Sequence, residues 1–573
     1  MIKLNFFTKR INLISVLGMS VGICCTLIVF LIIQYELTFD AHNSKGDNIF
    51  RMVSKEKAAE RFLFKSHVPY PLANVLRNET SSVMATTQVL IREYGVIKFK
   101  TSGGEHKKIE ENEITYTDKF YTDVFDLVFI AGDSKKFLES PYDVILTIKE
   151  VEKLFGQVES LNSLIGQEIM INESLHIISG IVKSTPRNTN LPFHVLANLQ
   201  SIEFKTPDIL RDWSGNFRID TYILTARRTM PKDVIADLDK LKKKYIEPEQ
   251  AKNIEYELQP LSSIHSDKVY RQSSYYSSPA ILIYALIVLA AFILISASIN
   301  YISLSVSDVL KKAKQIGIRK MLGASNQIIL KKYFLESLAL MITAAIIGVL
   351  STYLLLPSVN GLVKFFDLGF EINGNIVFPL ILLIILITLL AGYFPASALL
   401  SISPLRIVSK NVRISKKITF RSAMVGIQFG ISQLLIISAF IIFDQLKFIK
   451  GSDLGYQTDH KILVFLNDDS EQKQMEYRYN LSKIQNVEDV SFNSGPPTSS
   501  VTKSDFFYDI SKGDGSKIKT EIKEIDNHYF DLFGLKLVAG GNMTLSDKIE
   551  SQDSTNRIIN LIVNQKAVRE DRS

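Results

Sequence analysis

Residues 311–325 read KKAKQIGIRKMLGAS, with five positive charges, two glycines and no acidic residue. Oil lies on both sides of it: residues 280–304 and 337–356 contain no charged side chain. A basic loop between two such runs is either a signal for membrane topology or a surface that grips a partner. The rest of the chain has to decide between them.

At 573 residues the chain exceeds one ordinary domain. Its mean hydropathy of +0.13 is high for a protein with 22% charged residues, which points to a chain divided between lipid and water. Crossing roughly 30 Å of hydrocarbon takes about 20 apolar residues. Five segments qualify: 11–33, 281–304, 337–356, 376–400 and 424–443.

Their flanks set the orientation. Lys3, Lys9 and Arg10 precede the first segment. Lys311, Lys312, Lys314, Arg319, Lys320, Lys331 and Lys332 lie between the second and third, and Arg406, Lys410, Arg413, Lys416, Lys417 and Arg421 between the fourth and fifth. Between the third and fourth there is only Lys364, beside Asp367 and Glu371. One cytoplasmic side accommodates all three basic flanks. The net charge of +7 comes largely from these loops and requires no nucleic-acid partner. No small-x-small cleavage site follows the first segment, so it reads as a retained anchor. Cys24 and Cys25 sit inside that segment and read as packing residues.

Residues 34–279 then lie outside the membrane and predict an α+β domain. TYILTAR (221–227) has strand character, Val234, Leu238, Leu241 and Tyr245 share one helical face, and IEYELQPL (254–261) alternates as a strand. HIISGIV (176–182) adds another strand before a Pro-Arg-Asn turn.

A repeat organises the whole. GMSVG carries Gly18 and Gly22, with Glu36 following; GIQFG carries Gly426 and Gly430, with Asp444 following, and the offset is 408 throughout. At that offset YTDVFDLVFIAG (121–132) falls on YFDLFGLKLVAG (529–540). VILTIKEVE (144–152) matches LIVNQKAVR (561–569) more loosely, after a nine-residue gap. The repeat leads us to expect a truncated second half lacking roughly 240 residues. The paired GxxxG motifs permit close helix approach, and we expect the first and fifth spans to meet between the halves. Pro395 is expected to bend or end the fourth span.

Within the opening stretch, Val309, Leu310, Ala313, Ile316, Gly317 and Met321 recur at helical spacing, and GAS reads as a tight turn. The stretch resembles the signature of FtsX-like permeases, the membrane subunits of MacB-type ABC transporters. Lys314, Ile316, Gly317, Ile318, Arg319, Lys320, Leu322, Gly323, Ala324 and Ser325 match that family's basic arm. Gln315 and Asn326 depart from it: glutamate is usual at the first position and a basic residue common at the second. The lost carboxylate puts one contact of the arm in question. INYISLS (299–305), FLES (334–337), GYFPASALL (392–400) and SPLR (403–406) are similar to the flanking helices of the family. FDLVFIAGD, VEKLFG and ISGIVKSTPRNTNLPF resemble the MacB periplasmic core domain.

The fold class expected is an α-helical polytopic membrane protein with α+β extracytoplasmic domains. Residues 1–33 form the N-terminus and first helix, 34–279 the core domain, and 280–402 a three-helix membrane domain with the coupling arm at 308–326. A basic linker (403–423), a fifth helix (424–443) and an incomplete second core domain (444–573) follow. The resemblance implies a permease subunit in a bacterial inner membrane, with its large domain in the periplasm. A separate ABC ATPase dimer, holding ATP and Mg²⁺, would push on residues 314–325, including Gln315. A periplasmic adaptor and outer-membrane channel are further partners of such permeases, besides the lipid bilayer. Substrates would be macrolide-like compounds, lipids, lipoproteins or peptides, antimicrobial ones included. The alternative is an ATPase-driven relay to cell-envelope enzymes. There is no G-x-x-x-x-G-K-[ST] phosphate loop, so neither a cofactor nor catalysis is expected of this chain. The histidines stand at no local metal-binding spacing, and no metal site is expected.

Overall fold

The computed structural model describes residues 10–565 except 59–60, 93–94, 101–104, 112–113, 205, 214, 216, 227–228, 271–276, 312–314, 316–317, 320, 364–369, 371–373, 375–376, 401–416, 465, 467–469, 500–502, 509–516 and 544–560. The chain divides into two compact units, residues 1–437 and 438–573.

The apolar runs form the helices Arg10–Leu37, Ala280–Lys311, Asn326–Val363, Val377–Leu400 and Lys417–Gly451. Four of them are long and apolar enough to cross a membrane, and the fourth in order is apolar over Val377–Leu389. They outrun the expected spans because polar ends extend the same helical geometry into water. The helix Val377–Leu400 continues through Pro395.

The first three membrane helices pack together around Met19, Ile23, Ala297, Met341 and Ala344. Without a hydrophobic driving force inside lipid, this packing relies on close approach at small residues. A Cβ on Gly22 would stand 2.4 Å from the Ala297 Cβ, and one on Gly348 would stand 2.9 Å from Ile23. The packing therefore needs glycine at both positions.

Residues 49–260 form a sheet of thirteen described strands: β1 (Ile49–Ala58), β2 (Arg61–Lys65), β3 (Val83–Arg92), β4 (Gly95–Lys100), β5 (His106–Glu111), β6 (Ile114–Thr117), β7 (Phe129–Gly132), β8 (Asp143–Thr147), β9 (Glu168–Ile171), β10 (Ser174–Val182), β11 (Val195–Asn198), β12 (Asp220–Thr225) and β13 (Ile254–Pro260). Their spatial order is β13-β1-β12-β3-β6-β11-β8-β10-β9-β4-β5, with β2 on β1 and β7 on β10. The pairs β8–β10 and β6–β11 are parallel and the others antiparallel. The expected β-α-β run is present: β12, the helix Pro231–Tyr245 and β13. That helix buries Val234, Leu238 and Leu241 against Met52 and Ile223. β12 and β13 flank β1 on opposite sides.

The second unit contains the helix Glu471–Leu481, a two-stranded sheet of β14 (Lys503–Tyr508) and β15 (Lys517–Ile522), and the short helix Tyr529–Phe533.

Candidate functional site: an inner elbow and an outer clamp

Of the arm, Gln315, Ile318, Arg319, Leu322, Gly323, Ala324 and Ser325 are described; Lys314, Ile316, Gly317 and Lys320 lie outside the described residues. The LGAS tail has a physical explanation. Gly323 adopts φ +92°, the left-handed conformation that ends a helix without a Cβ penalty. Ala324 N–H then donates to Arg319 O at 3.0 Å, the six-to-one bond of a Schellman turn. Ser325 Oγ accepts from Ile328 N–H at 3.4 Å and caps the helix Asn326–Val363. One helix is stopped and the next started within three residues, which gives a short elbow. At this elbow Leu322 is 82% exposed, and Ile318, Arg319 and Met321 are exposed beside it.

At its other end, the first membrane helix enters the core domain through a dense polar junction. Glu36 Oε2 lies 2.7 Å from His265 Nε2, both side chains being buried. Phe39 stacks on the same imidazole, ring centroids 3.4 Å apart. His265 O in turn accepts from Ser278 N–H at 3.2 Å, just before the second membrane helix. Tyr35 meets Phe370, from the loop after the third helix, edge to face at 5.4 Å. Asn360 bonds the Phe370 backbone twice, Nδ2 donating to its O and Oδ1 accepting from its N–H.

A second grip comes from the strand-following turn at 184–193. Asp40, at φ +57°, is buried. Its carboxylate accepts from Thr189 Oγ1 (2.6 Å), Asn190 N (3.0 Å) and Asn190 Nδ2 (2.5 Å). Its own N–H donates to Asn188 O at 3.0 Å. Asn188 Nδ2 donates to both Thr38 O and Thr38 Oγ1, at 2.8 and 2.9 Å. Burial pushes the Asp40 carboxyl above its ordinary range, against the pull of these bonds. A non-glycine residue in the left-handed region is strained, and here six bonds hold the turn in place.

A third tie is inside the sheet. Arg51, fully buried on β1, bonds Gln259 on β13 (2.7 Å), Asp220 on β12 (3.3 Å) and the carbonyl of Tyr270 (3.1 Å). The guanidinium thus pins three strands and the segment leading toward the second membrane helix. Removing one partner would leave a buried charge uncompensated.

Among the four glycines expected to pack helices, Gly22 makes its close approach to the second helix. A Cβ on Gly18, Gly426 or Gly430 meets nothing within 4 Å. Gly348 on the third helix makes a comparable approach and was not singled out by sequence. Asp40, His265 and Arg51 were also missed; the only sequence signal was the polar Asn-Thr-Asn run after the Pro-Arg turn.

Two family models match in series: the MacB-like periplasmic core domain over residues 13–241 and the FtsX-like permease C-terminal domain over residues 287–404. The chain belongs to the FtsX-like permeases that carry a MacB-like periplasmic core domain. It is accordingly an ABC transporter permease subunit, whose family implies an ABC ATPase as partner. Three solved structures are similar over about two-fifths of this chain. A domain of a presumed permease from Porphyromonas gingivalis is 18% identical, covering 38% of this chain and 91% of that one, with a TM-score of 0.34. The periplasmic region of MacB from Actinobacillus actinomycetemcomitans is 14% identical, covering 38% and 91%, with a TM-score of 0.28. The extracellular domain of the noncanonic ABC-type transporter YknZ from Gram-positive bacteria is 12% identical, covering 37% and 100%, with a TM-score of 0.26. No curated protein matches.

Proposed function

We propose that this permease couples ATP hydrolysis on a separate ATPase dimer to motion of its extracytoplasmic core domain, and thereby extrudes a substrate from the outer side of a bacterial inner membrane. The observation that carries the reading is the clamp at the outer end of the first membrane helix, where Glu36 and Asp40 are held by the core domain. ATP and Mg²⁺ are bound by the ATPase, which presses on residues 314–325. The capped elbow at Gly323–Ser325 passes the push to the third helix instead of absorbing it. Gly348 seats that helix on Ile23 of the first, and Asp40 and Glu36 carry the displacement into the sheet. Residues 34–279 are the moving core and 280–402 the driving membrane domain. Apolar Ile318, Met321 and Leu322 beside Arg319 suit a docking surface with an acidic rim on the ATPase. An adaptor and outer-membrane channel would receive the substrate, a peptide, macrolide-like compound, lipid or lipoprotein.

The test uses two variants. Reversing Arg319 and Lys320 to glutamate is expected to abolish co-purification of the ATPase. Asp40→Ala is expected to keep the ATPase bound and hydrolysing while export falls at least tenfold. Undiminished ATPase association after charge reversal would overturn the coupling reading. Loss of envelope-enzyme control with no change in export of any compound would replace extrusion by a signalling relay.

A further inference from the structure

We infer that Glu111, Glu150 and His194 form a binding site for a divalent transition-metal ion, with zinc the ion best suited to them. Glu111 ends β5, Glu150 lies in the first turn of the helix Ile148–Phe155, and His194 immediately precedes β11. One ligand atom from each lies within 4.8 Å of the others. The two carboxylates are buried, 3% and 1% exposed, whereas the imidazole is 37% exposed and gives the site an opening to solvent.

An acidic cluster alone would not make a site. The further observation is that Glu150 Oε1 is buried and has no hydrogen-bond partner. The Glu150 carboxyl lies within 4.8 Å of that of Glu111. Two buried carboxylates this close cannot both stay ionised unaided: one takes up a proton, or a cation sits between them. Lys153 bonds Glu111 and lies 3.6 Å from Glu150 Oε2, so one ammonium already serves two carboxylates. Its side chain is 42% exposed, at the solvent edge of the site. The pocket therefore collects positive charge, and a divalent ion would satisfy both acids at once. One imidazole nitrogen and two carboxylate oxygens, with an open side for water, suit zinc better than magnesium or calcium.

Sequence spacing hid the set because its members come from three separate elements. His194 directly follows the turn that carries Asn190, which holds Asp40, so a bound ion would brace the segment gripping the first membrane helix. The metal site stands or falls independently of the coupling reading.

The experiment uses the full chain in detergent, stripped with a chelator, exposed to zinc chloride and desalted before metal analysis. Wild-type protein is expected to retain one equivalent of zinc. Glu150→Gln and His194→Ala should each weaken binding by about tenfold or more. Lys153→Met should tighten it, because the competing ammonium is gone. X-ray absorption on the wild-type protein should give a shell of one imidazole nitrogen with oxygens, a readout that does not depend on the variants folding. Failure of both wild type and Lys153→Met to retain zinc would overturn the proposal. So would a shell containing sulfur or several histidines, or retention unchanged in Glu150→Gln and His194→Ala.

Discussion

The large sheet domain and the second unit contain one small device twice, in different surroundings. In the first, the Asp118 carboxylate accepts from Thr87 Oγ1 (2.7 Å), Arg77 Nη2 (3.3 Å) and Phe120 N (3.2 Å). At the offset of 408, Asp526 accepts from Ser491 Oγ (2.7 Å), Arg478 Nη2 (2.6 Å) and His528 N (3.2 Å). Each arginine comes from a helix, Pro71–Glu79 or Glu471–Leu481. Each aspartate introduces a short helix with an aromatic pair on one face. The Tyr121–Phe125 and Tyr529–Phe533 ring centroids are 4.9 and 4.8 Å apart. Gly132 and Gly540 both adopt positive φ, +90° and +84°. The contrast lies around the device. Gly132 presses on the backbone of β10, while Gly540 has nothing near its Cβ position. Both copies assemble the capped, arginine-bound turn from groups 31 to 48 residues apart in the chain. The large sheet adds the burial that makes it intolerant of change.

Gly132 against Gly540 is the sharpest way to break that comparison. A Cβ on Gly132 would meet Ser179 O at 2.5 Å and Gly180 Cα at 2.8 Å, both backbone atoms. Gly132→Ala should cost about 4 kcal/mol, the left-handed penalty plus overpacking. Gly540→Ala should cost about 1 kcal/mol, the conformational penalty alone. Hydrogen exchange of the full chain, read by peptide, separates the two regions. Equal losses would mean that the two glycines share equivalent surroundings.

Asp118 and Asp526 come next. Asp118→Ala leaves the fully buried Thr87 hydroxyl with only its 3.3 Å contact to Thr117 Oγ1 and the part-buried Arg77 guanidinium with Thr86 O but no counter-charge, and should cost about 3 kcal/mol. Asp526→Ala leaves half-buried Ser491 and Arg478 with access to water, and should cost about 2 kcal/mol. Asn at either position keeps the cap and should recover about half of the loss. A larger loss from Asp526→Ala would reverse the ranking of the two regions.

What could be read in the sequence follows from the range of the interactions. The apolar runs, the β12–helix–β13 unit and the LGAS elbow are set by period or by a single residue's backbone preference, so a short window suffices. The 408 offset was legible because the matching stretches, GMSVG with GIQFG and YTDVFDLVFIAG with YFDLFGLKLVAG, are each contiguous in the chain, although each aspartate's arginine lies 41 or 48 residues away. The clamp was not: Asp40 reaches Thr189 and Asn190, and Glu36 reaches His265, across long stretches with no period to signal the pairing. The parallel pairings β8–β10 and β6–β11 were hidden for the same reason. Two of the three metal-ligand candidates read in sequence as ordinary surface acids, and only the fold buries them.

The last contrast between the regions is set by pH. His67 is buried, its Nε2–H donating to Gly215 O at 3.0 Å, and burial lowers its pKa to about 4, aided by the nearby cations Lys65, Arg218 and Arg51. The folded pKa is below the unfolded value near 6.5, so below pH 6.5 the unfolded chain takes up a proton that the folded chain refuses. Stability of the first region is therefore complete above pH 6.5 and is lost as pH falls toward 4, by about 2 kcal/mol between pH 7 and pH 5. His67→Gln retains a donor for Gly215 and should flatten this slope. In the second region His528 instead lies at a partly exposed contact, 2.9 Å from Asp489. Exchange measured at pH 5 and pH 7 should show acid loosening around β1 that disappears in His67→Gln. An unchanged acid slope in that variant would assign the sensitivity to the sheet's carboxylates and remove His67 from the contrast.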